Sequence, residues 1–569
     1  MSQSPFDQAR LQTRLLARHG IDPLCGVASG LVNIYSSEVA TVAMVHLQVP
    51  SRGVVAAGHA LTAEAGAAML KQGGNAFDAA IAAVMTAWVT ESVLTSAGGG
   101  GFLLAHTAAG ENRLFDFFTQ TPRRNRLSQA PDFYPIHANF GDTVQEFHIG
   151  LGSMAVPGAI AGLLHVHNRL GRLPLAAIAE PAIHHAQAGV TVTPFLAYVY
   201  TVLKPILTAS QAVRSLYAPA GQLLTTGDTL IMPAFAEALT QLVKHGAAFF
   251  YEGAIAQQIA QDCQTAGGYL TRADLQQYQV IERQPLSLRY RNATVVTNPP
   301  PSSGGALIGF ALKLLSQIDL HRMAYGSPEH LTSLTNAMAL TNTARRQGYD
   351  NRLYEPGVAA AFLADEQLWP YQETLKGTVN RLGSTTHVSA IDAEGNAASV
   401  TTSNGEGSSY VIPHTAIMVN NMLGEEDLHP HGFHQWTVNQ RISSMMAPTL
   451  ILKDGRPQLV LGSGGSNRIR TAILQVISNA LDFDMPLTDA IMAPRLHWER
   501  GTLHVEPGYA ADIVARTQPA ETTEAIAWQQ QNMFFGGVHA VACDETGAMH
   551  GAGDLRRGGA VAIAQCSIP

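Results

Sequence analysis

Gly383-Ser384-Thr385-Thr386-His387-Val388-Ser389-Ala390-Ile391-Asp392 runs into the polar quartet Ala393-Glu394-Gly395-Asn396 and leaves it through Ala397-Ala398-Ser399-Val400-Thr401-Thr402-Ser403-Asn404. Two runs rich in Ser, Thr and Val flank a turn, which is the pattern of a β-hairpin. If Ala393 and Asn396 close the turn, Ser403 falls opposite Thr386 and Asn404 opposite Thr385. Hydroxyls and an amide then meet at the open end of the hairpin, beside a small Gly-Ser pair. A threonine hydroxyl needs a base before it can attack a carbonyl. If the chain is cut before Thr385, the freed α-amine lies beside its own hydroxyl, and an unperturbed pKa of about 8 suits it to take the proton. Ser403 or Thr402, with Asn404, would orient the pair. The same stretch also reads as an ordinary Thr-rich sheet hairpin, since Ser and Thr pairs are common in strands.

Working outward, 569 residues suffice for two or more domains or one large interlocked core. Hydrophobic residues make up 46% and charged residues 14%, which favours a well-buried globular body over disorder. Net charge is −8 with no Lys/Arg cluster, so nucleic acid is excluded as the expected partner. Cys25, Cys263, Cys543 and Cys566 are far apart, with no metal-ligand spacing, and read as buried free thiols; no metal and no cofactor is expected. The first twenty residues are polar, a helix over Pro5–His19 included, with no apolar core of signal-peptide length, and no stretch reaches membrane-span length. These features give the expectation of a soluble cytoplasmic chain without a membrane partner.

Along the chain, Gly53–Ala57 reads as a buried strand and Leu61–Gln72 as a helix closed by Gly73-Gly74. Asn75 caps an all-apolar helix over Ala76–Val89. Gly98-Gly99-Gly100-Gly101 precedes a strand at Phe102–His106; four glycines there point to backbone passing close to a ligand or another strand. Asn112–Phe118 is a strand, and from Ser153 helical spacing fills most of the chain to about residue 263. Pro285–Tyr290 pairs with Thr294–Asn298, and helices follow at Ala306–Leu315 and His330–Arg346. Residues 366–384 are the least regular, where a cut needs accessible backbone. After the hairpin, Leu459–Leu461 leads through Gly462-Ser463-Gly464-Gly465 to a helix from about Ile469, whose start points N–H groups at an anion or an oxyanion. The acidic trio Glu425, Glu426 and Asp427 reads by itself as a solvated loop. The last strands are Leu503–Val505, Val538–Cys543 and Ala560–Ala564.

Taken together, the GGNAxDAAIA and GGGGF cores within Gly58–Phe102, Val156-Pro157-Gly158, Thr385-Thr386-His387, Asn420-Asn421, Ser443-Ser444, Gly464-Gly465 and Gly551–Gly559 resemble the gamma-glutamyltransferase family of N-terminal nucleophile hydrolases. The resemblance implies a four-layer αββα sandwich of the α/β (α+β) class. It implies self-cleavage before Thr385 into a large subunit, 1–384, and a small subunit, 385–569. It further implies Thr385 as nucleophile, Gly464 and Gly465 as oxyanion hole, Thr402 or Ser403 as the supporting hydroxyl, Asn404 as the loop asparagine, Ser443 and Ser444 as carboxylate binders, and Glu425, Glu426 or Asp427 as the amine-holding acid. The implied substrate is a small amide or gamma-glutamyl compound such as glutathione; the assembly is left open, a homodimer included.

Three departures stand out. Phe118 occupies the place where the family keeps an arginine that clamps the glutamyl α-carboxylate; Arg113 lies on the opposite strand face, which leaves Arg123 or Arg124 to reach in. Met422 follows the Asn pair where the family usually has Gln or Glu, and the first residues do not read as the family's usual leader. These departures keep two other readings open: an acylase of non-glutamyl side-chain amides, as the cephalosporin acylases of this superfamily are, and a catalytically silent relative that keeps the fold for binding.

Overall fold

The computed structural model describes residues 51–139, 144–368, 385–429, 432–517 and 522–566. The expected helix over Pro5–His19, Cys25, and residues 369–384 of the irregular stretch lie outside the described residues; 366–368 belong to a short helix, Asp365–Leu368. In chain order the two large sheets take β1 (Ser51–Ala57), β2 (Gly100–His106), β3 (Asn112–Phe117), β4 (Ile281–Arg283), β5 (Leu286–Tyr290), β6 (Ala293–Thr297), β7 (Thr386–Asp392), β8 (Ala397–Ser403), β9 (Thr449–Lys453), β10 (Arg456–Gly464), β11 (Gly537–Cys543), β12 (Met549–Ala552) and β13 (Ala560–Gln565). One sheet runs β13-β1-β7-β8-β2-β3-β4 and the other β12-β11-β10-β9-β6-β5, antiparallel throughout. The hairpin β7–β8 lies at the centre of the first sheet, and its inner face packs on β10 and β11 of the second.

The outer face of the first sheet is covered by α1 (Ala60–Lys71) and α2 (Ala76–Thr90), and that of the second by helices including α3 (Gly304–Ser316) and α4 (Arg468–Asp482). The layers are therefore αββα. Helix α2 is buried on every side, and Asn75 starts it with a reciprocal capping box to Asp78. Hairpin residues alternate between the layers, as pleating requires. Val388, Ala390, Ala398 and Val400 join the core under α1 and α2. On the other face, Ser389 Oγ donates to His539 O at 3.1 Å and Ser399 Oγ to Leu461 O at 2.9 Å, stitching the sheets together.

The hairpin register differs by one residue from the turn closed by Ala393 and Asn396. Thr386 pairs with Thr402 and Ile391 with Ala397. Asp392 causes the shift: its N–H donates to Asn396 O, and its Oδ1 accepts from the amides of Glu394 and Asn396 while Gly395 takes φ +91°. A three-residue turn with a left-handed third position results. Asp392 Oδ2 also accepts from Ala76 N at 2.9 Å, tying the turn to the start of α2. A one-residue slip changes which side chains share a face. Thr402 therefore shares the helix-side face with Thr386, and Ser403 comes level with Thr385 on the inter-sheet face.

The glycine run passes close to other strands. A Cβ on Gly99 would sit 2.3 Å from Ser403 O, and one on Gly101 2.4 Å from Thr401 O. The thiols are not all buried: Cys263 is, whereas Cys543 and Cys566 are half-buried, because they lie near the outer ends of β11 and β13. Among the described residues no helix is long and apolar enough to cross a membrane. Gly101→Ala is expected to force β2 away from β8 and to destabilise the protein by about 1–3 kcal/mol, read as a lowered Tm in a thermal melt.

Candidate active site

Thr385 stands immediately before β7, and Ser403 closes β8. Both line a cavity of about 410 Å³ together with Phe118, Glu425, Ser443 and Ser444. Thr385 is 5% exposed. Its carbonyl oxygen presses on the end of β10: a Cβ on Gly464 would meet it at 2.1 Å. Only glycine permits that approach, and the next residue, Gly465, takes φ +122°, which again favours glycine. Arg557 Nη1 donates to the same carbonyl at 3.1 Å. The backbone of Thr385 is thus fixed from two sides by the second sheet and the C-terminal segment.

Thr402 is placed elsewhere. Its Oγ1 accepts from Thr95 Oγ1 at 2.9 Å on the helix side, and it does not line the cavity. Ser403 Oγ accepts from the amide of Gly405 at 3.0 Å. Asn404 is fully buried behind this corner, and neither side-chain atom has a hydrogen-bond partner among the described residues. Ser444 Oγ accepts from Met446 N at 3.1 Å. Glu425 and Glu426 both line the cavity, so this acidic loop is not simply solvated; the side chain of Asp427 lies outside the described residues.

Phe118 is 1% exposed and stacks on Phe102 with centroids 5.5 Å apart. Neither arginine suggested as its substitute reaches the cavity. Arg124 donates to the carbonyls of Tyr269 and Gly268 at 2.8 and 3.1 Å, and Arg123 is exposed. The nearby Arg441 is also committed, to the carbonyls of Phe118 and Gln279, the Tyr278 hydroxyl and Asp116. Cations at the cavity come instead from Arg345 and Arg500, on segments without a motif to mark them. Among the described residues no group of His, Cys, Asp and Glu is arranged to hold a metal.

Sequence reasoning missed a buried ionic shell behind Thr385. Thr386 Oγ1 donates to Glu91 Oε2 at 2.5 Å and Thr62 Oγ1 to Glu91 Oε1 at 3.2 Å. Burial drives the Glu91 carboxyl up to about 7, opposed by those hydroxyls and by Arg557. Burial also pushes the Arg557 guanidinium down to about 10, against the pull of Asp554, Glu406 and Glu91. The signals were present: an acid ending an all-apolar helix, and an arginine inside the glycine-rich C-terminal motif.

A family profile described as Gamma-glutamyltranspeptidase matches residues 62–564. The Glutathione hydrolase proenzyme of Escherichia coli (strain K12) is 30% identical over 539 residues, covering 89% of this chain and 90% of the relative. The Acylase ACY 1 proenzyme of Pseudomonas sp. (strain V22) is 31% identical over 528 residues, covering 90% and 93%. The crystal structure of a cephalosporin acylase from Bacillus halodurans superposes with a TM-score of 0.80 at 25% identity, over 93% of this chain and 99% of that one.

A raised carboxyl pKa makes a signed prediction. The folded chain holds the Glu91 proton more tightly than the unfolded chain, so this contribution to stability is complete below pH 4.5 and is lost as pH rises through about 7. Glu91→Gln, neutral at every pH, is expected to melt close to wild type at pH 5 and to be more stable at pH 8, by about 3 kcal/mol at most. Calorimetric melts of both chains across that range check it; parallel pH profiles contradict it.

Proposed function

Because the chain belongs to the gamma-glutamyltranspeptidase family, we propose that it is a self-processing amidase whose nucleophile is Thr385. The observation that carries this reading is the placement of Thr385: it stands at a strand start, in the cavity beside Ser403, with its carbonyl against Gly464. In processing, Thr385 Oγ1 attacks the Ser384 carbonyl carbon, the Ser384–Thr385 amide becomes an ester, and water hydrolyses it. The products are a chain 1–384 ending in a carboxylate and a chain 385–569 beginning with a free amine.

In turnover that amine takes the Thr385 hydroxyl proton as the oxygen attacks an amide carbonyl. The amides of Gly464 and Gly465 receive the oxyanion, and Ser403 holds the nucleophile on the inter-sheet face. The leaving amine departs with a proton, and water or a second amine takes the acyl group from Thr385. Ser443, Ser444 and Glu425 bind the acyl group. The family reading makes this substrate a gamma-glutamyl compound, as glutathione is for the named hydrolases.

One observation favours a second acyl donor. An aromatic ring at Phe118 offers no bidentate partner to an α-carboxylate, and Arg441 behind it is fully engaged. An acyl group without the amino-acid head fits that wall better, which suits a relative of the acylases.

Two measurements test the proposal. On a denaturing gel the purified chain is expected to give two fragments meeting at Ser384/Thr385, and Thr385→Ala a single intact band; a wild-type chain that stays whole through long incubation rejects the reading. With the chain cleaved, release of 4-nitroaniline from its gamma-glutamyl derivative supports the glutamyl donor, and its absence supports the acylase.

A further inference from the structure

The cavity that holds Thr385 does not end at Ser443. A second chamber of about 260 Å³ adjoins it, and the two share Asp350, Leu353, Leu428, His429, Gly432 and Ser443 as common wall. Beyond that wall the second chamber is lined by Tyr354, Trp436 and Ile442 and by uncharged polar side chains such as Asn351, Gln435 and Gln440. Trp436 and Ile442 are buried, and Trp436 is braced edge-on by Tyr269 with centroids 4.9 Å apart. Pockets that enclose drug-sized ligands hold roughly 300–1,000 Å³, so the joined chambers suit a molecule larger than a glutamyl amide.

The electrostatics of the second chamber differ from those of a carboxylate site. None of its described lining residues is a lysine or arginine. Asp350 at the junction is ion-paired to Arg345 at 2.6 Å. His429 is buried and pushed down to about 4, hence neutral at pH 7. In the first chamber Phe118, Met422, Met445 and Met446 supply apolar surface, alongside the charged Arg345, Arg500, Glu425 and Glu426. A carboxylate carried into the second chamber meets no lysine or arginine among its described lining residues, whereas an uncharged aryl or alkyl chain exchanges water for Trp436, Ile442 and Leu353.

We infer that this second chamber is the subsite for the tail of an extended, uncharged acyl group, one that starts at Thr385 and passes between Leu353 and Ser443. The inference rests on the amidase reading and commits it to the second acyl donor. It places the tail on the acyl side because Ser443, on the shared wall, is one of the residues assigned to the acyl group.

The experiment uses the cleaved wild-type enzyme with 4-nitroanilides of butyryl, hexanoyl, 4-phenylbutyryl and adipoyl acids. Transfer of each methylene is expected to raise kcat/KM about fourfold from butyryl to hexanoyl, with a further rise for 4-phenylbutyryl and adipoyl below hexanoyl. Leu353→Trp and Gln435→Trp, one on the partition and one on the exposed rim, are each expected to lower the 4-phenylbutyryl-to-butyryl ratio at least fivefold. A flat acyl series from an enzyme that is cleaved and turns over the butyryl anilide overturns the subsite and leaves the amidase reading standing. A flat acyl series together with a rise when the leaving amine is enlarged at constant butyryl also overturns it, since the chamber then serves the amine side. A single uncleaved band with no turnover of any anilide removes both.

Discussion

The contact on which the site depends is between two backbones. Thr385 O and Gly464 stand so close that no Cβ fits between them, and this contact joins the central hairpin of one sheet to the end of a strand in the other. Sheets pack about 10 Å apart when side chains fill the gap, so so close an approach occurs only where side chains are absent at the strand ends. The hairpin supplies its first residue there, and β10 supplies two glycines. Thr385 in this position is held by main chain and lines the cavity, as its proposed role as nucleophile requires.

The same constraint explains the charge behind it. A carbonyl forced against Gly464 needs a donor, and Arg557 provides one from a fully buried position. An isolated buried guanidinium is costly, and Asp554, Glu406 and Glu91 offset that cost from different elements. Glu91 in turn accepts from Thr386, whose side chain points away from the cavity because neighbouring residues of a strand alternate. Thr385 and Thr386 therefore divide one dipeptide between two tasks: the first faces the cavity, and the second anchors the strand to the acid at the end of α2.

Much of the fold was legible because its signals are local. The cap at Asn75, the glycines flanking α1 and the alternation in the hairpin are set by residues a few positions apart. The hairpin register was misjudged by one residue because Asp392 competes for the turn amides, a side-chain effect that hydrophobic pattern does not report. That single step decides between Thr402 and Ser403. The cavity wall was less legible still. Arg345 reaches it from a π-turn at the end of the helix Pro328–Ala344, Asp350 and Leu353 from the 3-10 turn that follows, and Arg500 from the tip of a hairpin, so their meeting depends on tertiary packing alone. The thiols were misread for a related reason, since position at a strand end rather than residue type leaves Cys543 and Cys566 half-buried.

The surroundings of Phe118 bear on which acyl group the proposed site would take. The arginine expected at that place would enter a neighbourhood where Asp116 already holds Arg283 at 2.8 Å and Arg441 at 3.3 Å, and where Arg441 also stacks over Tyr278 at 4.7 Å. A third guanidinium has no unshared carboxylate there, and it would replace a ring that packs on Phe102 in the inter-sheet core. The apolar wall is thus supported by an ion-pair network directly behind it, and restoring one side chain does not restore a carboxylate clamp. Thr385 and Ser403 line the same cavity as Phe118, and the Thr385 carbonyl is fixed by Gly464 and Arg557 rather than by the ring. On the proposed reading the acyl group can therefore change while Thr385 stays in place, which is the condition for one fold to carry both glutamyl and non-glutamyl amide chemistry.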